Sequence, residues 1–397
     1  MKSYHTNTMA GSPVVKVNKK AALRIAARHC WIYRSDVLDS SGIAPGEVVR
    51  VVGPRGEMLG SALYSSLSQI ALRMIAFDGA VIDTGFWLSR LVAAEQLRDQ
   101  VSAGKDAYRL VFGESDLLPS LIVDRYLDCF VVQTLSQGMD LLKPLWIQLI
   151  ADRYSPRTII ERNEARVREM EGLPRSAGVI YGSDPGQIVV REGSVQFSVD
   201  LIHGQKTGWF LDQSENRAAA EIYARGRALD CFTFQGGFAL HLAKKADNVL
   251  AIDVSGPALD AARRNADLNG ARNVEFVEAN VFDSLSELEQ AGERFDLVVL
   301  DPPAFAKNRA SVDAAARGYK EINLRAIKML TRGGTLVTST CSYHVSEDAF
   351  LNILASAASD ARRVVKIVEK RTQSRDHPVL ISMPETYYLK CMVLSVE

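Results

Sequence analysis

Thr338 to Val345 read "TSTCSYHV", so Cys341 stands where the apolar run "GGTLV" (Gly333 to Val337) gives out into a turn. A thiol there is either a small core residue or a nucleophile. A carboxylate holds a similar position upstream. In "LDPPAF" (Leu300 to Phe305), Asp301 closes an apolar strand, and Pro302 and Pro303 then impose a rigid, extended turn. Such a turn presents the carboxylate and backbone carbonyls at fixed positions, and Phe305 can stack on a planar ring. An Asp-Pro-Pro turn at this place suits methylation of a nucleobase.

Other strand ends carry groups that fit a nucleoside cofactor. "RALDCF" runs into "TFQGGF", where Gly236 and Gly237 permit a tight turn and close backbone approach. Cys231 and Phe232 end that strand, under the expected ligand. Asp253 ends "NVLAIDVS", where an acid can take both ribose hydroxyls, with Ser255 just after it. In "EANVFD", Asn280, Val281 and Phe282 fall beside the expected adenine. The spacing is not G-x-G-x-x-G, so the pyrophosphate fingerprint is missing and an NAD-dependent oxidoreductase is set aside. A nucleoside cofactor without a diphosphate fits, and S-adenosylmethionine is the obvious one. Just upstream, "KTGWFLDQSENR" can fold over that cofactor with Lys206, Phe210, Gln213 and Arg217. Trp209 and Phe210 can exclude water there, and Gln213 and Arg217 share a helix face at i, i+4.

These groups need a sheet to position them. From about residue 200, apolar strands ("RALDCF", "NVLAIDVS", "VEFVEAN", "FDLVVLDPP", "GTLVTSTC") alternate with amphipathic helices, the pattern of an α/β, doubly wound parallel sheet. Its ligands lie outside the carboxyl ends of the strands. Residues 1–78 read as a small β-rich module with one early helix, "KAALRIAARH", and a hairpin tip, "GPRGE". Residues 79–190 read as a central α+β domain in which "MDLLKPLWIQLIADRY" is one helix, and "SDPGQIVVREGSVQFSVDL" is a hairpin leading out of it. Residues 191–397 are the Rossmann-like catalytic domain.

Bulk properties narrow the setting. With 397 residues, two or three domains are expected. No apolar run approaches the roughly 18 residues of a membrane span. The opening "MKSYHTNTMAGSP" lacks an apolar signal core, so a cytoplasmic location is expected. The five cysteines are scattered without a C-x-x-C pair, which argues against a disulfide framework or a zinc site, and no metal is expected. Net charge is zero, yet residues 1–35 hold seven Lys and Arg and no acid. Lys19, Lys20, Arg24 and Arg28 are candidate phosphate contacts. A solvated helix face explains them equally well.

The chain resembles the bacterial large-subunit ribosomal RNA cytosine-5 methyltransferases that carry an N-terminal PUA domain. The resemblance spans essentially the whole chain and rests on "HGQKTGWFLDQSENR", "CFTFQGGFALHLA", "DPPAFAK", "TSTCSYHV" and "DHPVLISMPETYYLKCMVL". It implies an RNA-binding PUA domain, a central α+β domain, a Rossmann-like class I methyltransferase domain and S-adenosylmethionine as donor. It also implies 23S ribosomal RNA as substrate and a homodimer.

Cytosine carbon 5 is a poor nucleophile. A thiolate added to carbon 6 makes it enamine-like, so this chemistry needs one cysteine, and Cys341 beside the Asp301 turn suits it. Asp301 can bond ring nitrogen 3 or the exocyclic amine. An ordinary thiol is only a few per cent ionised at neutral pH. A helix starting near Ser346, or the cations Lys307 and Arg309, can favour the thiolate. Some RNA cytosine-5 methyltransferases carry a second cysteine after the proline of the fourth-strand motif, for product release. Here Pro303 is followed by Ala304, so release falls to another base, with Asp301 and a water both open. The rival readings are a methyltransferase acting on another base or on nitrogen, which would not need Cys341, and an inactive RNA-binding scaffold.

Overall fold

The computed structural model describes residues 12–204, 207–306 and 311–397. Lys206, Lys307 and Arg309 lie outside the described residues. The chain divides into two compact units. The first runs up to Val190 and includes Val199–Leu211 and Arg375–Thr386; the second comprises Arg191–Ser198, Asp212–Ser374 and Tyr387–Glu397.

The first unit contains a six-stranded and a five-stranded sheet. In the six-stranded sheet, Val48–Val52 and Met58–Tyr64 pair antiparallel around the "GPRGE" tip, where Gly56 takes a φ of +83°. The basic helix Lys19–Ala26 is capped by Asn18, whose side chain accepts from the Ala21 amide at 2.9 Å. It buries Ala21 and Ile25 in a core with Val15, Val51 and Leu72. The five-stranded sheet carries the helices Thr84–Val101 and Lys143–Tyr154, whose Trp87 and Trp146 meet edge to face at 5.8 Å. The single helix expected over "MDLLKPLWIQLIADRY" is two, Gln137–Leu141 and Lys143–Tyr154. Pro144 lacks an amide hydrogen and favours the first turn of a new helix, so the break falls just before it.

The second unit is built on a seven-stranded sheet. Its strands are β1 (Arg227–Cys231), β2 (Asn248–Asp253), β3 (Val274–Glu278), β4 (Phe295–Leu300), β5 (Leu330–Thr340), β6 (Val365–Thr372) and β7 (Lys390–Val396), in the order β3-β2-β1-β4-β5-β7-β6. The neighbouring pairs from β3 to β5 are parallel, as the alternating pattern predicts. The last strand of the chain, β7, inserts antiparallel between β5 and β6, so the sheet is mixed at this edge. Both faces are covered. One packs against Tyr319, Ile322 and Phe350 of helices Val312–Met329 and Glu347–Ala361. The other packs against Ala220, Phe238 and Leu242 of helices Ser214–Tyr223 and Gly237–Leu242. Burial on both sides is why β4, past Asp296, reads as the continuous apolar run "LVVL".

Register places the candidate groups together. Cys231 is level with Ile252 on β2 and Leu300 on β4, Asp253 with Glu278 on β3, and Leu300 with Thr338 on β5. The carboxyl ends of five strands therefore open at one edge.

Candidate active site

The loop after β1 is the most strained segment of this edge. Phe232 and Phe234 hold left-handed φ values of +64° and +51°, followed by Gly236 at +83°. Left-handed non-glycine residues cost of order 1–3 kcal/mol each and persist where the surroundings over-determine them, commonly around ligand sites. Here the surroundings are two carboxylates. Asp253 accepts from the Phe234 amide at 2.8 Å and the Ser255 amide at 2.9 Å. Asp230 accepts from Thr233 Oγ1 at 2.6 Å and the Ala239 amide at 2.9 Å. Each Asp253 oxygen keeps a further lone pair for a hydroxyl.

Asp230 was not among the sequence candidates, although it ends the apolar part of β1. It is fully buried, and its Oδ1 has no hydrogen-bond partner among the described residues. Burial first, then the charges of Asp301 and Asp253, raise its carboxyl to about 7 against the lowering hydrogen bonds from Thr233 and Ala239. Three acids converging on one edge favour a cationic ligand. S-adenosylmethionine, with its sulfonium and ammonium charges, meets that demand, and the residues present fit it. Asp253, the Phe232–Gly237 loop and Asn280 would hold it. Asn280 caps the helix Val281–Gln290 through the Phe282 amide at 2.9 Å.

Aromatic rings line the same edge. Phe305 lies 5.8 Å from Phe282, 6.4 Å from Phe232 and 4.6 Å from Tyr319, between ring centroids. All three phenylalanines are half-buried. Pro302 is buried, while Pro303 is exposed.

The thiol sits beside the proline turn. Cys341 follows the last residue of β5 and lies 3.9 Å from the Pro302 carbonyl oxygen, to which it donates. It is partly exposed, whereas Cys30, Cys129, Cys231 and Cys391 are buried. Burial pushes the Cys30 and Cys391 thiols up to about 12 and raises those of Cys129 and Cys231. The helix expected near Ser346 is present: Ser346 caps Glu347–Ala361 through the Ala349 amide at 3.1 Å.

Tyr319 clamps both neighbours of the thiol. Its hydroxyl accepts from Thr340 Oγ1 at 2.8 Å and lies 2.9 Å from Ser342 Oγ. Ser342 Oγ also accepts the Ala306 amide at 3.2 Å, which ties the cysteine turn to "DPPAFA". In the sequence Tyr319 is one apolar position in a helical period, and only tertiary packing distinguishes it. Asp301 is held from the other side by Gln213 Nε2 at 2.7 Å, and its amide reaches the Cys231 carbonyl at 3.4 Å.

The remaining candidates distribute differently. Gln213 joins the Asp301 cluster. Arg217 is buried and donates to both oxygens of Glu192 at 2.6 Å, with His241 Nε2 3.2 Å from the same carboxylate. Burial alone would raise the Glu192 carboxyl, but Arg217 and His241 bring it well below the ordinary range. Phe210 belongs to the first unit. On the basic helix, Lys19 and Lys20 are exposed, and Arg28 is exposed beside the Phe77 ring. Arg24 instead pairs with Asp36 at 2.9 Å and stacks over Tyr33. The acid-free window of the sequence stops one residue short of that partner. Among the described residues no group of three or more His, Cys, Asp or Glu is placed to hold a metal ion, and no helix is long and apolar enough to cross a membrane.

Known proteins match this arrangement. Residues 170–380 match the family described as S-adenosylmethionine-dependent methyltransferase, and residues 15–77 match a PUA-like domain. The chain is 41% identical to "Ribosomal RNA large subunit methyltransferase I" of Photobacterium profundum, over 95% of this chain and 97% of that protein. It is 39% identical to the protein of the same name from Vibrio cholerae, over 96% and 100%. The crystal structure of SMU.776 complexed with SAH shares the fold, with a TM-score of 0.84 at 17% identity, over 96% of this chain and 100% of that one. The chain belongs to the S-adenosylmethionine-dependent methyltransferases, in the family of the proteins named ribosomal RNA large subunit methyltransferase I.

Proposed function

We propose that this methyltransferase modifies carbon 5 of a cytosine in 23S ribosomal RNA through a covalent adduct to Cys341. The observation that carries the reading is the partly exposed Cys341 thiol, 3.9 Å from the Pro302 carbonyl in the turn that presents Asp301. A methyl transfer to nitrogen would leave that placement without a use. S-adenosylmethionine supplies an electrophilic methyl group on sulfur. The chain's residues make carbon 5 able to accept it. Cys341 adds to carbon 6, and Asp301, oriented by Gln213, bonds the cytosine edge and favours the protonated ring. The base must leave its stack to reach this edge, and the half-buried Phe305 offers a stacking surface. After transfer the proton on carbon 5 is lost and the carbon–sulfur bond breaks, which regenerates the thiol. The test is nucleoside mass analysis of 23S ribosomal RNA from cells with and without this protein. One 5-methylcytidine should disappear; loss of a methylated adenine or guanine instead would contradict the reading.

Cofactor contacts are proposed at Phe232, Gly236, Gly237, Asp253, Ser255, Asn280, Val281, Phe282 and Pro302. Asp253→Ala is expected to weaken S-adenosylmethionine binding by about 1.5–3 kcal/mol, the range for hydrogen bonds to a charged group. Calorimetry reads this directly, and an unchanged affinity would remove Asp253 from the site.

We also propose residues 1–78 as the RNA-docking domain, followed by a central domain to 190 and the catalytic domain. The similarity of relatives named for ribosomal RNA supports a cytoplasmic place of work. Lys19 and Lys20 are exposed cations of that domain, so the double change to alanine should weaken RNA binding without altering cofactor affinity. The salt dependence of log K should become shallower by roughly one per lysine removed. An identical salt slope would exclude both as phosphate contacts.

A further inference from the structure

A lysine is buried beside the proposed nucleophile. Lys390 opens β7 opposite Thr340, the residue before Cys341, and is 2% exposed. Buried lysines are rare unless paired. Its Nζ lies 5.2 Å from the centre of the Tyr387 ring and 3.5 Å from the Tyr388 carbonyl oxygen. The acidic groups whose charge it feels are the Cys341 thiol and Glu347. Glu347 is already engaged, at 2.8 Å from both Lys370 Nζ and the Tyr387 hydroxyl. Tyr319 also feels the Cys341 charge, and its phenol is pushed up by burial, so it remains neutral beside the thiol.

We infer that Lys390 is the positioning residue that ionises Cys341. The buried ammonium favours release of the Cys341 Sγ proton to solvent, which leaves a thiolate near a cation. The thiolate then forms the bond to carbon 6 of the base. When that bond breaks at the end of the reaction, the thiolate returns to the same cation. Burial lowers the Lys390 pKa, against the opposing pull of Cys341 and Glu347, and a cation near a thiol favours the thiolate. This role deepens the proposed cytosine-5 chemistry and rests on Cys341 being its nucleophile.

The test needs no RNA. Cys341 alkylation by iodoacetamide is followed against pH in the full-length protein and mapped by peptide mass, with Cys341→Ala as the blank. The four buried cysteines should contribute little. In the wild type the rate should rise with a midpoint below the ordinary thiol value of about 8.5. Lys390→Met should move the midpoint upward by about one unit and slow alkylation at neutral pH about tenfold. Lys390→Arg, which keeps the cation, should hold the midpoint low, and S-adenosylmethionine affinity should be unchanged in both variants. Coincident wild-type and Lys390→Met profiles would overturn the inference. So would a wild-type midpoint at or above the ordinary value, which decides the matter even if Lys390→Met does not fold. Covalent trapping of wild-type protein on 5-fluorocytidine RNA separates the two proposals. An adduct with coincident alkylation profiles rejects Lys390 alone; shifted profiles without an adduct reject the cytosine-5 reading alone.

Discussion

Cys341→Ala is expected to bind S-adenosylmethionine and RNA nearly as the wild type does, and to lose methyl transfer by about 10⁴-fold or more, roughly 5 kcal/mol of barrier. Binding should survive because a small, partly exposed side chain is exchanged for another, and the Tyr319 clamp on Thr340 and Ser342 does not depend on the sulfur. On the proposed chemistry turnover should not survive, because no other described residue at this edge is an accessible thiol. Single-turnover transfer of labelled methyl to ribosomal RNA checks this. A Cys341→Ala enzyme within tenfold of wild type would point to nitrogen as the acceptor. Alanine at Cys30, Cys129, Cys231 or Cys391 should leave the rate intact, with stability losses from the packing voids.

Asp301→Asn carries the second large effect. The carboxylate is oriented by Gln213 at 2.7 Å and fixed by the two prolines that follow it. The amide keeps the shape but loses the negative charge that favours the protonated ring, and loss of a positioned acid–base group typically costs 10²–10⁴-fold. We expect a fall of about 10²–10³-fold in kcat with little change in RNA affinity. A fall confined to KM would mean that Asp301 only binds the base.

Much of this site is legible in the sequence because strand ends are local features. Apolar runs stop at Asp253 and Asp301, and "DPP" and "TSTCS" follow such stops, so the candidates fall on one edge once the sheet is parallel. The cap at Ser346 is equally local. What escapes is set by tertiary order. Lys390 reaches Thr340 only because β7 inserts antiparallel beside β5, an arrangement no periodicity in "LKCMVLSV" announces. Tyr319 reads as one more core position of a helix until its hydroxyl is seen between Thr340 and Ser342. Arg24 reads as a free cation until Asp36 folds back onto it. Asp230 stands one residue before the end of β1, but its orphaned oxygen appears only with burial.

The proposed covalent step is read directly from the mass of the protein after incubation with S-adenosylmethionine and ribosomal RNA carrying 5-fluorocytidine at the target. Fluorine cannot leave carbon 5 as a cation, so the reaction should stop after methyl transfer with the base still bound to the enzyme. A stable protein–RNA adduct is expected, mapped by peptide mass to Cys341 and missing from Cys341→Ala. No adduct with the wild type, an adduct on another cysteine, or trapping of the Cys341→Ala protein would contradict it.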